Sequence, residues 1–142
     1  DAGSLAIPRH ASLRLRAASV EARVDRGARR ASALSYSTKA RLLAGEALPH
    51  REEPLPLLAA YLLEWEGTNE PTIRALKGAA LHMAWMNNSF LLDIEDRLLL
   101  ADHFDWTCRI AQAVPTFALD YPRDYGMLSH VRNAVRRHVA GA

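Results

Sequence analysis

Apolar side chains recur along this chain at three- and four-residue spacing, and no segment alternates convincingly with period two. The pattern predicts six helices. The first covers about 10–26, where Leu13, Ala17, Val20 and Val24 make a narrow stripe that Gly27 ends. The second covers about 28–48, with Leu34, Ala40 or Arg41, Leu42, Leu43 and Leu48 on its face, Tyr36 alongside and Pro49 closing it. The third starts near Pro54 or residue 55 and carries LLAAYLLEWE through Glu66, its start marked by Glu52 and Glu53. The fourth covers about 70–86, capped by Asn69 with Pro71 just inside, and presents Ile73, Leu76, Ala80, Met83 and Ala84. Gly78 falls in its middle, which a close approach of two helices would explain.

Asn87-Asn88-Ser89 breaks the periodicity, either as a left-handed C-cap or with Ser89 as the N-cap of the next helix. A fifth helix covers about 90–113. The stretch VPTFALDYPRDYG, with two prolines and a glycine, is expected to be loop. A last helix covers about 127–139. The expected fold class is therefore all-α: one helical domain over residues 1–142, a compact antiparallel bundle, with residues 1–8 extended or disordered.

Composition changes this picture little. At 142 residues the chain is the length of one domain and buries roughly 68–70% of its unfolded surface. No window of 18 uncharged apolar residues occurs, so no membrane partner is expected. There is no secretory apolar region at the start, and a chain that begins at Asp1 is expected to be a fragment or a processed form. The single Cys108 rules out an internal disulfide and a multi-cysteine zinc site, and points to an intracellular location, nuclear or cytoplasmic. Placed in a core helix, that thiol is expected to be inert.

Charge adds more. The net +2 divides into +6 over 1–51, −7 over 52–120 and +3 over 121–142. Basic ends around an acidic middle suggest self-complementarity, within one chain or across a homodimer. The alternative is phosphate binding by a basic surface of Arg14, Arg16, Arg23, Arg26, Arg29 and Arg30. No aromatic residue lies among Arg9–Arg30, so a single-strand stacking platform is not expected, nor nucleic acid as this fragment's partner.

The stretch IEDRLLLADHFDW concentrates the candidate chemistry. On a helix, Leu91, Ile94, Leu98, Ala101, Asp105 and Cys108 share one row, and rows through Leu99 and Leu100 lie beside it. The wide apolar arc is that of a helix packed on more than one side, with Asp102, His103 and Asp105 at its margin. If the protein were an enzyme, His82, His103, Asp102 and Asp105 would supply its acid–base groups. A di-metal bundle needs Glu-x-x-His on two helices, and a zinc hydrolase needs His-Glu-x-x-His; neither occurs, so no metal and no cofactor is expected. His82 beside Met83 and Met86 could be written as a haem pair, but a lone His among flexible core fillers is read as a boundary residue. Trp65, Trp85 and Trp106 fall on three consecutive expected helices. With Met83 and Phe104 they could line a pocket for a small apolar ligand; the simpler reading is core.

With the helices so placed, YSTKARLLAGEAL (36–48), PLLAAYLLEWEG (56–67), TIRALKGAALHMAWM (72–86) and RLLLADHFDWTCRIAQAVPTF (97–117) together resemble the fungal-specific transcription factor regulatory domain. The matching positions are Leu76, Gly78 and Met83, then Asp102 or Asp105, then Pro115 and Phe117. The likeness covers about residues 33–120. Asn87-Asn88 stands where that family often has Gly-Gly, the zinc cluster is missing, and the arginine-rich N-terminal segment has no counterpart. The resemblance implies an all-α regulatory or protein-interaction module for transcription regulation, non-catalytic, with a protein partner or a second copy. The alternative from the residues is a small all-α enzyme or ligand carrier with an aromatic pocket and a histidine acid–base. A tetratricopeptide-type scaffold ranks behind both, because no 34-residue self-similarity occurs.

Overall fold

The computed structural model describes residues 4–8, 11–23, 28–32, 37–90 and 95–141. It is mixed α/β, not all-α. The elements in chain order are β1 (Leu5–Ala6), β2 (Ser12–Leu15), α1 (Ala17–Arg23), β3 (Ala40–Leu43), β4 (Leu55–Pro56), β5 (Ala60–Leu63), β6 (Thr72–Ala75), α2 (Gly78–Asn88), α3 (Arg97–Ala113), β7 (Thr116–Asp120), a 3-10 turn (Tyr125–Met127) and α4 (Leu128–Ala140). They fall into two compact units, Leu5–Leu55 and Asp1–Ser4 with Pro56–Ala142.

In the smaller unit β2 and β3 pair antiparallel, Leu13 opposite Leu42 and Arg14 opposite Arg41. The far edge of β3 is occupied too: Ala31 N–H donates to Arg41 O at 2.9 Å and Leu43 N–H to Arg29 O at 2.8 Å. With both edges paired, β3 is central, and its Leu42 is fully buried. The expected helix over 10–26 is a strand at Ser12–Leu15 and helical over Ala17–Arg23, and the expected helix over 28–48 has no helix among its described residues, where Ala40–Leu43 is strand. Val24, Gly27, Leu34 and Tyr36 lie outside the described residues.

The larger unit is built around β7. This strand runs parallel to β5 on one side, Tyr61 opposite Phe117, and antiparallel to β6 on the other, Ile73 opposite Leu119. Four of its five residues are buried. The sequence accounts for this in hindsight. A short apolar run bounded by turn residues suits a strand covered on both faces. Pro115 lies just ahead of it, where a missing N–H removes no ladder bond and its carbonyl still accepts from Ala60 N–H at 2.9 Å. The prolines and glycine of 114–126 are thus punctuation around a central strand, not a loop.

The expected helix over 55–66 and the first part of that over 70–86 are strand for a related reason, while Gly78–Asn88 is helical. Ala and Leu favour helix only as a weak prior, which sheet pairing overrides. Thr72-Ile73-Arg74 alternates polar and apolar, and Ile73 is half-buried between exposed Thr72 and Arg74. The segments at 36–48 and 56–67 that carry the transcription-factor resemblance hold β3 and β5 where that family's fold requires helices.

Alternation along β7 turns Thr116, Ala118 and Asp120 to one face and Phe117 and Leu119 to the other. Trp85 of α2 donates Nε1–H to Thr116 Oγ1 at 3.1 Å. His138 of α4 lies edge-on to Phe117, ring centroids 4.3 Å apart. Helices therefore cover both faces of the sheet, α2 on one and α4 on the other. Gly78 is not mid-helix; it opens α2 with φ +56°, and a Cβ there would meet nothing within 4 Å. The left-handed backbone, rather than a close helix approach, is what its lack of a side chain serves. Ser89 ends α2 in extended backbone, and Asp96 caps α3, its carboxylate accepting from Leu98 and Leu99 N–H at 2.9 and 3.2 Å. No helix among the described residues is long and apolar enough to cross a membrane.

Candidate functional site

The three tryptophans do not form one cluster. Trp85 and Trp106 meet edge to face with centroids 6.2 Å apart, and His103 stacks on Trp106 at 6.1 Å. Trp65 lies beyond the end of β5, 80% exposed, with the Arg123 guanidinium 4.6 Å from its ring centre. The first pair forms the seam of an α2–α3 hairpin, and hydrogen bonds fix that seam. Ser89 Oγ gives its proton to Trp85 O at 2.7 Å, so His103 Nε2, 2.9 Å away, is the donor in their contact. Thr107 Oγ1 donates to Phe104 O at 2.7 Å and touches Met86 Sδ at 3.3 Å. Thr116 Oγ1 accepts from Trp85 and donates to Val114 O at 2.9 Å.

The expected acid–base residues are dispersed over this hairpin. His82 Nδ1–H donates back to Gly78 O of its own helix at 3.0 Å. His103 serves the seam. Asp102 and Asp105 are exposed. Among the described residues no three His, Cys, Asp or Glu are grouped to hold a metal ion. The basic surface is not a single helix: Arg14 is on β2, Arg16 follows it, and Arg29 and Arg30 run beside β3, all exposed. Arg23 ends α1, and Arg26 lies outside the described residues.

Several residues that the sequence pattern assigns to a core are instead exposed apolar surface of the larger unit. Leu98 is 79% exposed, Phe104 52% and Phe90 84%, and Leu99, Leu100, Trp106 and Met83 also face solvent. Leu91 and Ile94 lie outside the described residues. The signal was present in the sequence. Three consecutive leucines on a helix point 100° apart and sweep about 200° of its circumference, more than one core can cover. Only Thr107 and Ala111 of α3 are buried, both in its second half. α2 goes further: it has no Asp, Glu, Lys or Arg, yet none of its residues is buried. A helix apolar on all sides is normally enclosed; this one is not. Exposed Asp96, Asp102 and Asp105 border the leucines.

A second cluster escaped the sequence reading. Asp120, buried at the end of β7, accepts from Glu66 N–H at 2.9 Å, Thr68 N–H at 3.4 Å and Tyr121 N–H at 2.9 Å. Burial pushes its carboxyl pKa up, but those three N–H groups and the Arg123 guanidinium outweigh it, so the group titrates below its ordinary value. Arg123 also donates to Glu64 O and stacks on Tyr121, 3.9 Å from the ring centre. The arrangement ties the β5–β6 connection to the sheet. Its carboxylate is fully engaged, which suits a structural role rather than proton transfer. No protein-family model, curated protein or solved structure matches the chain.

Proposed function

We propose that this protein is a non-catalytic protein-interaction module whose α2–α3 hairpin seats a basic amphipathic helix of a partner protein. The reading keeps the interaction role that the resemblance implied and drops its all-α scaffold. One observation carries it: Leu98, Leu99, Leu100 and Phe104 are exposed on the first half of α3, with Met83 exposed on α2, a helix without Asp, Glu, Lys or Arg, none of whose residues is fully buried. Contiguous exposed apolar surface with a polar rim marks an interaction site. A helix laid on such a surface recognises it through apolar anchors one turn apart.

Charge selects the occupant. Asp96, Asp102 and Asp105 border the leucines, and over 95–113 four acids face two arginines. A helix with one leucine face and lysine flanks complements both features, and the acidic border steers it at low salt. The test is a titration of the full chain with an amphipathic leucine–lysine helical peptide, read by Trp106 fluorescence. Saturable binding that weakens with salt and is lost in a Leu98→Asp/Leu99→Asp variant is expected. A scrambled peptide of equal charge is expected not to bind. Equal binding to intact chain and variant, or none to either, refutes the reading. Sedimentation of the chain alone supplies a further arm: dimerisation abolished by the same variant would make a second copy the occupant and overturn the basic-helix partner.

A further inference from the structure

The sheet face away from α2 holds a cleft with different chemistry. It lies between the approach to β5, the start of β7 and the last turn of α4, and has a volume of about 260 Å³. Leu58, Ala59, Pro115 and Val139 supply aliphatic wall. Tyr61 and Phe117 lie stacked at 5.5 Å, and His138 stands edge-on to both, 5.7 Å from the tyrosine ring and 4.3 Å from the phenylalanine. Tyr61 Oη and His138 Nδ1 share a hydrogen bond of 2.8 Å. We propose that this cleft binds a small neutral aromatic molecule carrying one hydrogen-bonding substituent, of the phenol class.

Size, lining and charge each narrow the ligand. A closed apolar cavity of about 150 Å³ already takes benzene, so this volume admits one substituted ring. Aromatic walls favour offset or edge contacts with such a ring. Tyr61 occupies one imidazole nitrogen; the other, His138 Nε2, has no partner among the described residues, which leaves one polar position for one substituent. No carboxylate, lysine or guanidinium lines the cleft. His138 is in the last turn of α4, where outward carbonyls carry negative partial charge and disfavour an anion. Burial also raises the Tyr61 phenol above its ordinary pKa, as expected of a poorly solvated wall.

The probes are 4-fluorophenol and 4-fluorotoluene, followed by fluorine NMR on the full chain. The phenol is expected to bind saturably with a dissociation constant of about 1 mM, and the toluene about fivefold more weakly. Transfer of magnetisation from the Tyr61 and Phe117 ring protons to the bound phenol places it in the cleft without any substitution. Ala59→Leu is expected to abolish binding of both probes. His138→Phe, which keeps the ring and removes the nitrogen, is expected to retain the toluene and cancel the preference for the phenol. Absence of saturable binding, undiminished binding in Ala59→Leu, magnetisation arriving from other aromatic residues, or an unchanged preference in His138→Phe each overturns the assignment. None of these residues is on α2 or α3, so a failure here is separate from a failure of the peptide titration.

Discussion

Gly78→Ala separates the observed fold from a helical one by the sign of a stability change. At the start of α2 this residue has φ +56°. An L-residue in that region costs about 1–2 kcal/mol, because Cβ crowds the following carbonyl. Nothing lies within 4 Å of the Cβ that Ala would add, so no steric term adds to the backbone cost. Losing glycine's freedom in the unfolded chain returns about 0.4–1 kcal/mol. The net expectation is a destabilisation of about 0.8 kcal/mol, the difference of the two ranges running from about 0 to 1.6. Had Gly78 been inside a helix over 70–86, the same substitution would stabilise by up to about 1 kcal/mol. Urea unfolding followed by tryptophan fluorescence reads the relevant unit, since Trp65, Trp85 and Trp106 all belong to it. For a slope of about 2 kcal/mol/M, the midpoint should fall by about 0.4 M and at most by about 0.8 M. A midpoint that rises would refute the left-handed start of α2 and restore the helical reading.

Two further outcomes are set by the hydrogen bonds around β7. Thr116→Val keeps the side-chain volume but strands both the Trp85 Nε1–H and the buried Val114 carbonyl, and should cost about 1–3 kcal/mol in the same urea assay with a shift of the Trp85 indole proton resonance. Asp120→Asn should destabilise at pH 7 and do so less as acid is added. The native carboxyl titrates below its ordinary 3.8, so its contribution is fully present above that value and is lost as pH falls through the depressed native pKa. A wild-type advantage that stays constant from pH 7 to well below 3.8 would show that the charge of Asp120 is not what its three N–H partners need.

The parts of the fold that were legible in the sequence were those where one period dominates over three turns. Helices α3 and α4 were expected over 90–113 and 127–139 and are found at Arg97–Ala113 and Leu128–Ala140. What was illegible is every strand, for a physical reason common to alanine- and leucine-rich segments such as ARLL and AYLL. Four residues are too few to show whether apolar positions repeat at 2 or at 3.6, and alanine and leucine bias the choice towards helix. Only a neighbouring strand decides, and for AYLL that neighbour is TFALD, over fifty residues away in the chain. The same dependence on distant partners hid the site. Tyr61 and His138 are 77 positions apart and meet only because β5 and α4 both rest on β7. Leu98, Leu99 and Leu100 stand out in the sequence, yet their meaning reverses with the fold. In a six-helix bundle a third rod would have covered them, whereas here α3 packs on α2 and buries only Thr107 and Ala111 of its second half. The exposed leucines are therefore a consequence of the architecture itself: α2, with 11 residues, cannot shelter an α3 of 17 residues along its whole length, and the turns it leaves uncovered are the surface on which the proposed partner helix would rest.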